Sequence, residues 1–158
     1  MTAAALLAAA ALAACSDEED AAAPLTGRVV RVSDGDTIRV RLSGGREERV
    51  RYIGIDAPET AKPGAPGECF GDRATEFNAR LVDGRTVRLK RDVEWRDRFG
   101  RLLAYVYVGD TDVGAELLRR GYAEPLVVPP NVRNASRFRQ LGREAREAGR
   151  GLWSACAS

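Results

Sequence analysis

Strict alternation is what most constrains this chain. In "TIRVRL", residues 37–42, Ile38, Val40 and Leu42 take one side while Arg39 and Arg41 take the other. That is the pattern of a strand with one buried face. "GRVVRV" before it and "ERVRYIGI" after it are equally rich in β-branched residues, and "SGG", Ser43 to Gly45, is a hairpin turn signal. Residues 27–55 therefore read as a three-stranded meander.

Further along, "RTVRLK" and "RLLAYVYV" read as two more strands joined by the charged "DVEWRDRFG". A loop containing Pro63 and Pro66 precedes Ala74, Phe77 and Leu81, which recur at helical spacing with Gly84 at the stop. Glu116, Leu117 and Leu118 fall in a short helix ended by Gly121; Phe138, Leu141, Ala145 and Ala148 mark a longer, arginine-rich one. Five strands, a helix after the third and helices at the carboxy end predict an α+β fold: an OB-type five-stranded barrel with about three helices. At 158 residues the chain suits one domain.

There is no histidine. That excludes an imidazole base or nucleophile and a His-ligated zinc. Chemistry is left to carboxylates, guanidinium groups, hydroxyls or a hard metal. Net charge is only +2, but Asp17, Glu18, Glu19 and Asp20 carry −4, so residues 21–158 carry +6. Lys62 and Lys90 are the only lysines among 25 basic residues. Arginine's planar fork suits phosphate, and a basic domain suits a polyanionic partner. Codon bias in a GC-rich genome would give the same arginine excess.

The amino terminus reads as a separate segment. Ala3 to Ala14 is an apolar run of 12 residues, short of the ~20 that span a bilayer and fitting the core of a secretory signal. It ends in "LAAC", Leu12 to Cys15, which resembles the lipobox of bacterial lipoproteins, in which the cysteine is lipidated. The expected division is a signal peptide over 1–14, an acidic tether over 15–26 and the folded domain over 27–156. Such a protein would be exported and held on a membrane through Cys15, periplasmic or at the cell surface; an ordinary cleaved signal would make it secreted. Cys69 and Cys156 then remain, and an even remainder in an exported chain suggests a disulfide. Two free buried thiols are the alternative.

The acids concentrate at one edge of the sheet. Placing the hairpin turn between Gly44 and Arg46 makes antiparallel partners sum to about 89–91, which sets Asp36 opposite Ile53 to Ile55. At ~3.3 Å per residue, Asp56 then starts within about 10 Å of Asp36. A hard cation such as Ca²⁺ takes oxygen ligands from carboxylates and carbonyls. Glu59 is near enough to orient or deprotonate a water. Arg51 leads into the same loop and Arg101 lies on a strand that passes near it, so two guanidinium forks can clamp a phosphate.

"SDGDTIRV", "RYIGIDAPET", "DRFGRLLAYVYV" and "GLW" together resemble the thermonuclease family, the calcium-dependent micrococcal-nuclease type, over about residues 27–154. The resemblance implies an OB-type barrel with three helices and an endonuclease that hydrolyses DNA and RNA to 3′-phosphates. Carried over motif by motif, it implies Asp36, Asp56 and the carbonyl of Ala57 as calcium ligands, and Glu59 as general base or water-orienting group. Arg51 and Arg101 would bind the scissile phosphate, and Asp34 would be a further acid beside the metal. The chain departs from the family's best-known member at four substrate-binding positions. Arg98 and Phe99 stand for a lysine and a tyrosine, and Leu126 and Val128 stand where two tyrosines flank the nucleotide. A monomer is expected. The rival reading is a non-catalytic nucleic-acid-binding module of the same fold, which the presence of all five acids and arginines opposes.

Overall fold

The structure is a computed structural model, and it describes residues 24–156. The expected signal segment, Cys15 and most of the expected tether lie outside the described residues. The chain folds as β1 (Leu25–Asp34), β2 (Thr37–Leu42), β3 (Glu47–Tyr52), β4 (Ile55–Asp56), α1 (Gly71–Val82), β5 (Thr86–Lys90), β6 (Leu102–Val108), β7 (Thr111–Asp112), α2 (Val113–Arg119), β8 (Glu124–Pro125), α3 (Ala135–Glu147) and α4 (Leu152–Ala155). β1 begins at Leu25, two residues ahead of the expected domain start.

The main sheet runs β3-β2-β1-β5-β6-β7, and a parallel β3–β6 pairing closes the first five strands into a barrel. β1 serves two neighbours: residues 25–28 pair with β5, and residues 27–34 pair with β2 across two register shifts. Such irregularities bend a strand and strengthen its twist, as closure requires. The alternation in "TIRVRL" emerges as read, with Ile38 and Val40 fully buried and Arg39 and Arg41 exposed. Val29, Val50, Val87, Leu89 and Val106 fill the barrel, while Leu117, Leu118 and Phe138 from α2 and α3 pack in the same core.

Two details differ from the sequence reading. Partners on β2 and β3 sum to 88, as in Thr37↔Arg51 and Val40↔Glu48, rather than 89–91. The reason is the turn: the Leu42 and Gly45 amides donate to Arg46 O and Leu42 O, so Ser43–Gly45 form a three-residue loop closed by Gly45 at φ 83°. Asp36 therefore faces Tyr52, whose amide donates to its carbonyl at 2.9 Å. The three expected helices are present, and a one-turn fourth, α4, follows α3. Cys69, just before α1, and Cys156, just after α4, are joined by a disulfide.

Candidate active site

Asp36 and Arg51 meet because the hairpin register places them one residue apart across β2 and β3. Asp36 is buried at 2% exposure. Its Oδ2 accepts from the Ala57 amide at 2.7 Å and pairs with Arg51 Nη1 at 3.0 Å, while Thr37 Oγ1 donates to Oδ1 at 2.9 Å. Arg51 Nη2 reaches Asp56 Oδ1 at 2.7 Å, and Nη1 donates to the Ile55 carbonyl at 2.8 Å. One half-buried guanidinium thus joins the two aspartates expected as metal ligands. Asp36 brings charge into the barrel end at a cost. Burial pushes its carboxyl above the usual range, against the opposing pull of Arg51 and of the hydrogen bonds from Ala57 and Thr37.

Asp34 and Glu59 form a second cluster beside the first. Lys62 Nζ pairs with Asp34 Oδ2 at 3.2 Å and with Glu59 Oε2. Burial raises the Asp34 carboxyl, and neighbouring Glu59 adds to this. The Lys62 hydrogen bond holds Glu59 below its ordinary value. Glu59's backbone is fixed at both ends by Glu68. The Glu59 amide donates to Glu68 Oε2 at 2.9 Å, and the Glu68 amide donates to Glu59 O at 2.9 Å. Gly71 opens α1 against that carbonyl, where a Cβ would stand 2.1 Å from Glu59 O.

Arg101 sits on the turn just before β6. Its Nε donates to Asp97 Oδ2 at 2.6 Å, and its amide donates to Asp97 Oδ1 at 3.0 Å. Burial pushes the Asp97 carboxyl up, but the Arg101 fork and amide with the Phe99 amide outweigh it and hold Asp97 below the usual range. The turn is pinned to the barrel by Arg96, whose two guanidinium nitrogens donate to the two oxygens of buried Glu48 at 3.0 and 2.8 Å. Arg51, Arg98, Phe99, Arg101, Leu126 and Val128 all line one groove of about 640 Å³. Phe99 stands 58% exposed there with the Arg98 and Arg101 guanidiniums 4.7 and 5.4 Å from its ring centre.

The residues expected to bind metal, act in catalysis or hold the nucleotide therefore fall in the carboxylate clusters or in the groove beside them, while Cys69 and Cys156 form the disulfide and Cys15 lies outside the described residues. The sequence reading missed Lys62, Asp97, Glu68 and Asn78. Asn78 is fully buried on α1, donates to the Asp34 carbonyl at 3.0 Å and accepts from Tyr52 Oη at 2.9 Å. A polar residue on the inward face of α1, one position after Phe77, was its only signal.

Among the described residues no group of three acidic or sulfur side chains converges ready-made around a cation; the acids are turned onto Arg51 and Lys62. The donor set still fits a hard cation. Asp34, Asp36, Asp56 and Glu59 set four carboxylates against two cations, a formal charge of −2. Asp34 Oδ1 is buried without a hydrogen-bond partner, an orphaned hard oxygen beside that excess.

Comparison with known proteins agrees with this geometry. A family model described as "Staphylococcal nuclease homologue" matches residues 49–155. The chain is similar to a thermonuclease of Staphylococcus hyicus, 37% identical over 129 residues, covering 82% of this chain and 76% of that protein. A thermonuclease of Staphylococcus intermedius is 39% identical over 125 residues, covering 79% and 74%. Endonuclease YncB of Bacillus subtilis strain 168 is 39% identical over 126 residues, covering 78% of this chain and 59% of that protein.

Proposed function

From the premise that this chain belongs to the staphylococcal nuclease homologue family and is a nuclease, we propose that it is a calcium-dependent endonuclease acting on DNA and RNA and leaving 3′-phosphates. The observation that carries this reading is the Arg51 guanidinium, which joins Asp36 to Asp56 and opens onto the groove that Arg101 also lines.

In this reading Asp36, Asp56 and the Ala57 carbonyl hold Ca²⁺, with Asp34 beside them. Bound there, the cation offsets charge on a phosphodiester and lowers the cost of forming hydroxide. The protein's own groups do the rest. Glu59, held at its backbone by Glu68, orients or deprotonates the attacking water. Arg51 and Arg101 grip the phosphoryl oxygens and strengthen that grip as negative charge grows on them. Asp97 fixes the aim of Arg101, so the fork needs no reorganisation during the reaction. Arg98, Phe99, Leu126 and Val128 hold the neighbouring nucleotide.

The test is cleavage of single-stranded DNA, double-stranded DNA and RNA by the full chain with calcium or with EGTA. Cleavage that needs calcium, with 3′-phosphate ends, is the expected result. Full activity in excess EGTA would overturn the metal assignment, and 5′-phosphate ends would overturn the product assignment.

We also propose that the protein is exported and membrane-anchored through Cys15. The Cys69–Cys156 disulfide supports an oxidising compartment. Cys15→Ser should release soluble protein or leave precursor. A variant that matures and fractionates with membranes like the parent refutes the anchor.

A further inference from the structure

Away from the groove, three aromatic rings and a set of arginines form a second built surface. Phe77 on α1 and Tyr122 after α2 stack at 4.1 Å with 4° between planes, and Phe70 lies 5.2 Å from Tyr122. Arg73 and Arg80 cap this row, 5.5 and 5.3 Å from the Phe70 and Phe77 centroids. Phe77 and Tyr122 also line an open cavity of about 560 Å³ whose other walls are Arg119, Arg120, Arg150 and Gly151.

The cavity is held in shape by backbone packing. Gly121 and Gly151 lie against each other so closely that a Cβ on Gly121 would stand 2.2 Å from Arg150 O, and one on Gly151 would stand 2.2 Å from Gly121 O. Both have positive φ, 72° and 57°. Leu152 N donates to Gly121 O at 2.9 Å. This contact delivers Arg150 to the end of α2, where its Nη1 donates to Arg119 O at 3.1 Å.

Charge is unbalanced here. Arg133 and Arg137 each have a carboxylate, Asp92 and Asp112, and on the β2–β3 hairpin Glu47 serves Arg39 and Arg41 while Glu48 serves Arg46 and Arg96. Here Glu116 alone serves both Arg119 and Arg120, and Arg73, Arg80 and Arg150 have no ion-pair partner among the described residues. The row also adjoins the candidate active site, because Phe70 immediately precedes Gly71, which packs on the Glu59 carbonyl.

We propose that this surface is a second nucleic-acid subsite, in which Arg119, Arg120 and Arg150 hold backbone phosphates of the substrate strand as it runs on from the acid clusters past Phe70. Guanidinium forks suit phosphate oxygens, and a rigid row of rings gives the strand an apolar bed. The groove holds the strand beside the acid clusters, and this surface extends the grip along it. The proposal rests on the nuclease reading above.

The experiment compares the full chain with its Arg119→Gln/Arg120→Gln/Arg150→Gln variant on a 30-nucleotide single strand and on a dinucleotide, across 50–200 mM salt. The expected result is a KM for the 30-mer raised on the order of tenfold, with a log KM against log salt slope shallower by about 2 for three lost phosphate contacts on a single strand. Dinucleotide KM and both kcat values should hold, and lysine at the three positions should restore most of the loss. Unchanged 30-mer KM and slope, or equal losses on both substrates, would overturn the proposal. Should the triple variant lose its fold by circular dichroism, Arg150→Gln alone carries the test, since Arg150 touches only a backbone carbonyl. If the parent cleaves nothing, the nuclease reading fails, and fluorescence anisotropy of the uncut 30-mer in EGTA still tests the surface. A variant that keeps oligonucleotide affinity but loses binding to phosphatidylglycerol vesicles overturns it in favour of a lipid headgroup.

Discussion

At the scale of single residues, the acid clusters hold negative charge where the fold would be more stable without it. Asp36 is buried, its carboxyl is pushed up by desolvation, and Asp34 beside it is raised for the same reason. A carboxyl whose folded value lies above its unfolded one makes the ionised form cost stability as pH rises past the ordinary range. Asp36→Asn should therefore raise stability at pH 7 by about 1 kcal/mol, or roughly 3 °C in Tm, while abolishing most cleavage. A calorimetric scan giving a lower Tm refutes this view of Asp36. The groove separates differently. Leu126 and Val128 are exposed apolar side chains of the groove, 40% and 57% exposed, and carry no charge or donor to offer the reacting phosphate, so they should govern affinity rather than turnover. A base stacked on an aromatic ring is worth ~1–3 kcal/mol. Tyrosine at both positions should lower KM for a dinucleotide roughly tenfold with little change in kcat, whereas Glu59→Gln should depress kcat by orders of magnitude. An unchanged KM in the double tyrosine variant would show that those positions do not meet the nucleotide.

At the scale of elements, legibility follows periodicity. β2, β3 and β5 are readable because their buried faces alternate, β6 because "LLAYVYV" is a run of aliphatic and aromatic residues buried through its middle, and α1 because Ala74 and Phe77 recur at helical spacing. What escaped depends on local hydrogen bonds or on chain segments far apart in sequence. One extra residue in the Ser43–Gly45 turn reset the register to 88, and no alternation pattern reveals turn length. Asp97 lies in the charged connection "DVEWRDRFG", where nothing in the sequence singles it out from its neighbours, yet its two oxygens fix Arg101. Lys62 and Glu68 act on Glu59 only because the loop doubles back before α1. The Cys69–Cys156 bond locks that loop's end to α4 across a separation of 87 residues. In the chain-entropy account, closing a loop of that size stabilises by ~4–5 kcal/mol, with measured values often lower. Denaturant unfolding with and without reductant should show a loss of several kcal/mol. A reduced protein as stable as the oxidised one would mean that strain in the native bond cancels the entropy.

At the scale of the whole molecule, a polar junction around Tyr105 helps tie the barrel to α3, beside the Arg137–Asp112 pair. Tyr105 on β6 donates its phenol to Asp92 Oδ2 at 3.1 Å and accepts from the Asn134 amide, at the start of α3, at 3.3 Å. Asp92 Oδ2 also accepts the Arg133 amide at 3.0 Å. α3 in turn inserts Phe138 into the core, 6.0 Å from the Tyr105 ring at 81°. Loss of the phenolic proton would set an anion against Asp92 inside this junction. Burial, and then the Asp92 charge, push Tyr105 up to about 12, although the Asn134 amide opposes them. The sign follows directly. Below pH 10 both folded and unfolded chains keep the proton, and the junction is intact. Between pH 10 and 12 the unfolded chain gives it up while the folded chain retains it, so stability falls as pH rises. The loss from this group is at most about 3 kcal/mol, since each pKa unit is worth ~1.4 kcal/mol. Tyr52 and Tyr107, also raised by burial, add to the same slope. Tyr105→Phe should be less stable than the parent at pH 7, by about 1 kcal/mol for the broken hydrogen bonds. Above pH 10 its stability should decline less steeply, by the share of one proton, or ~1.4 kcal/mol per pH unit. Urea titrations at pH 8, 10, 11 and 12 measure both quantities. Parallel declines in the two proteins would place the alkaline titration elsewhere and show that the junction holds α3 without regard to the charge of its phenol.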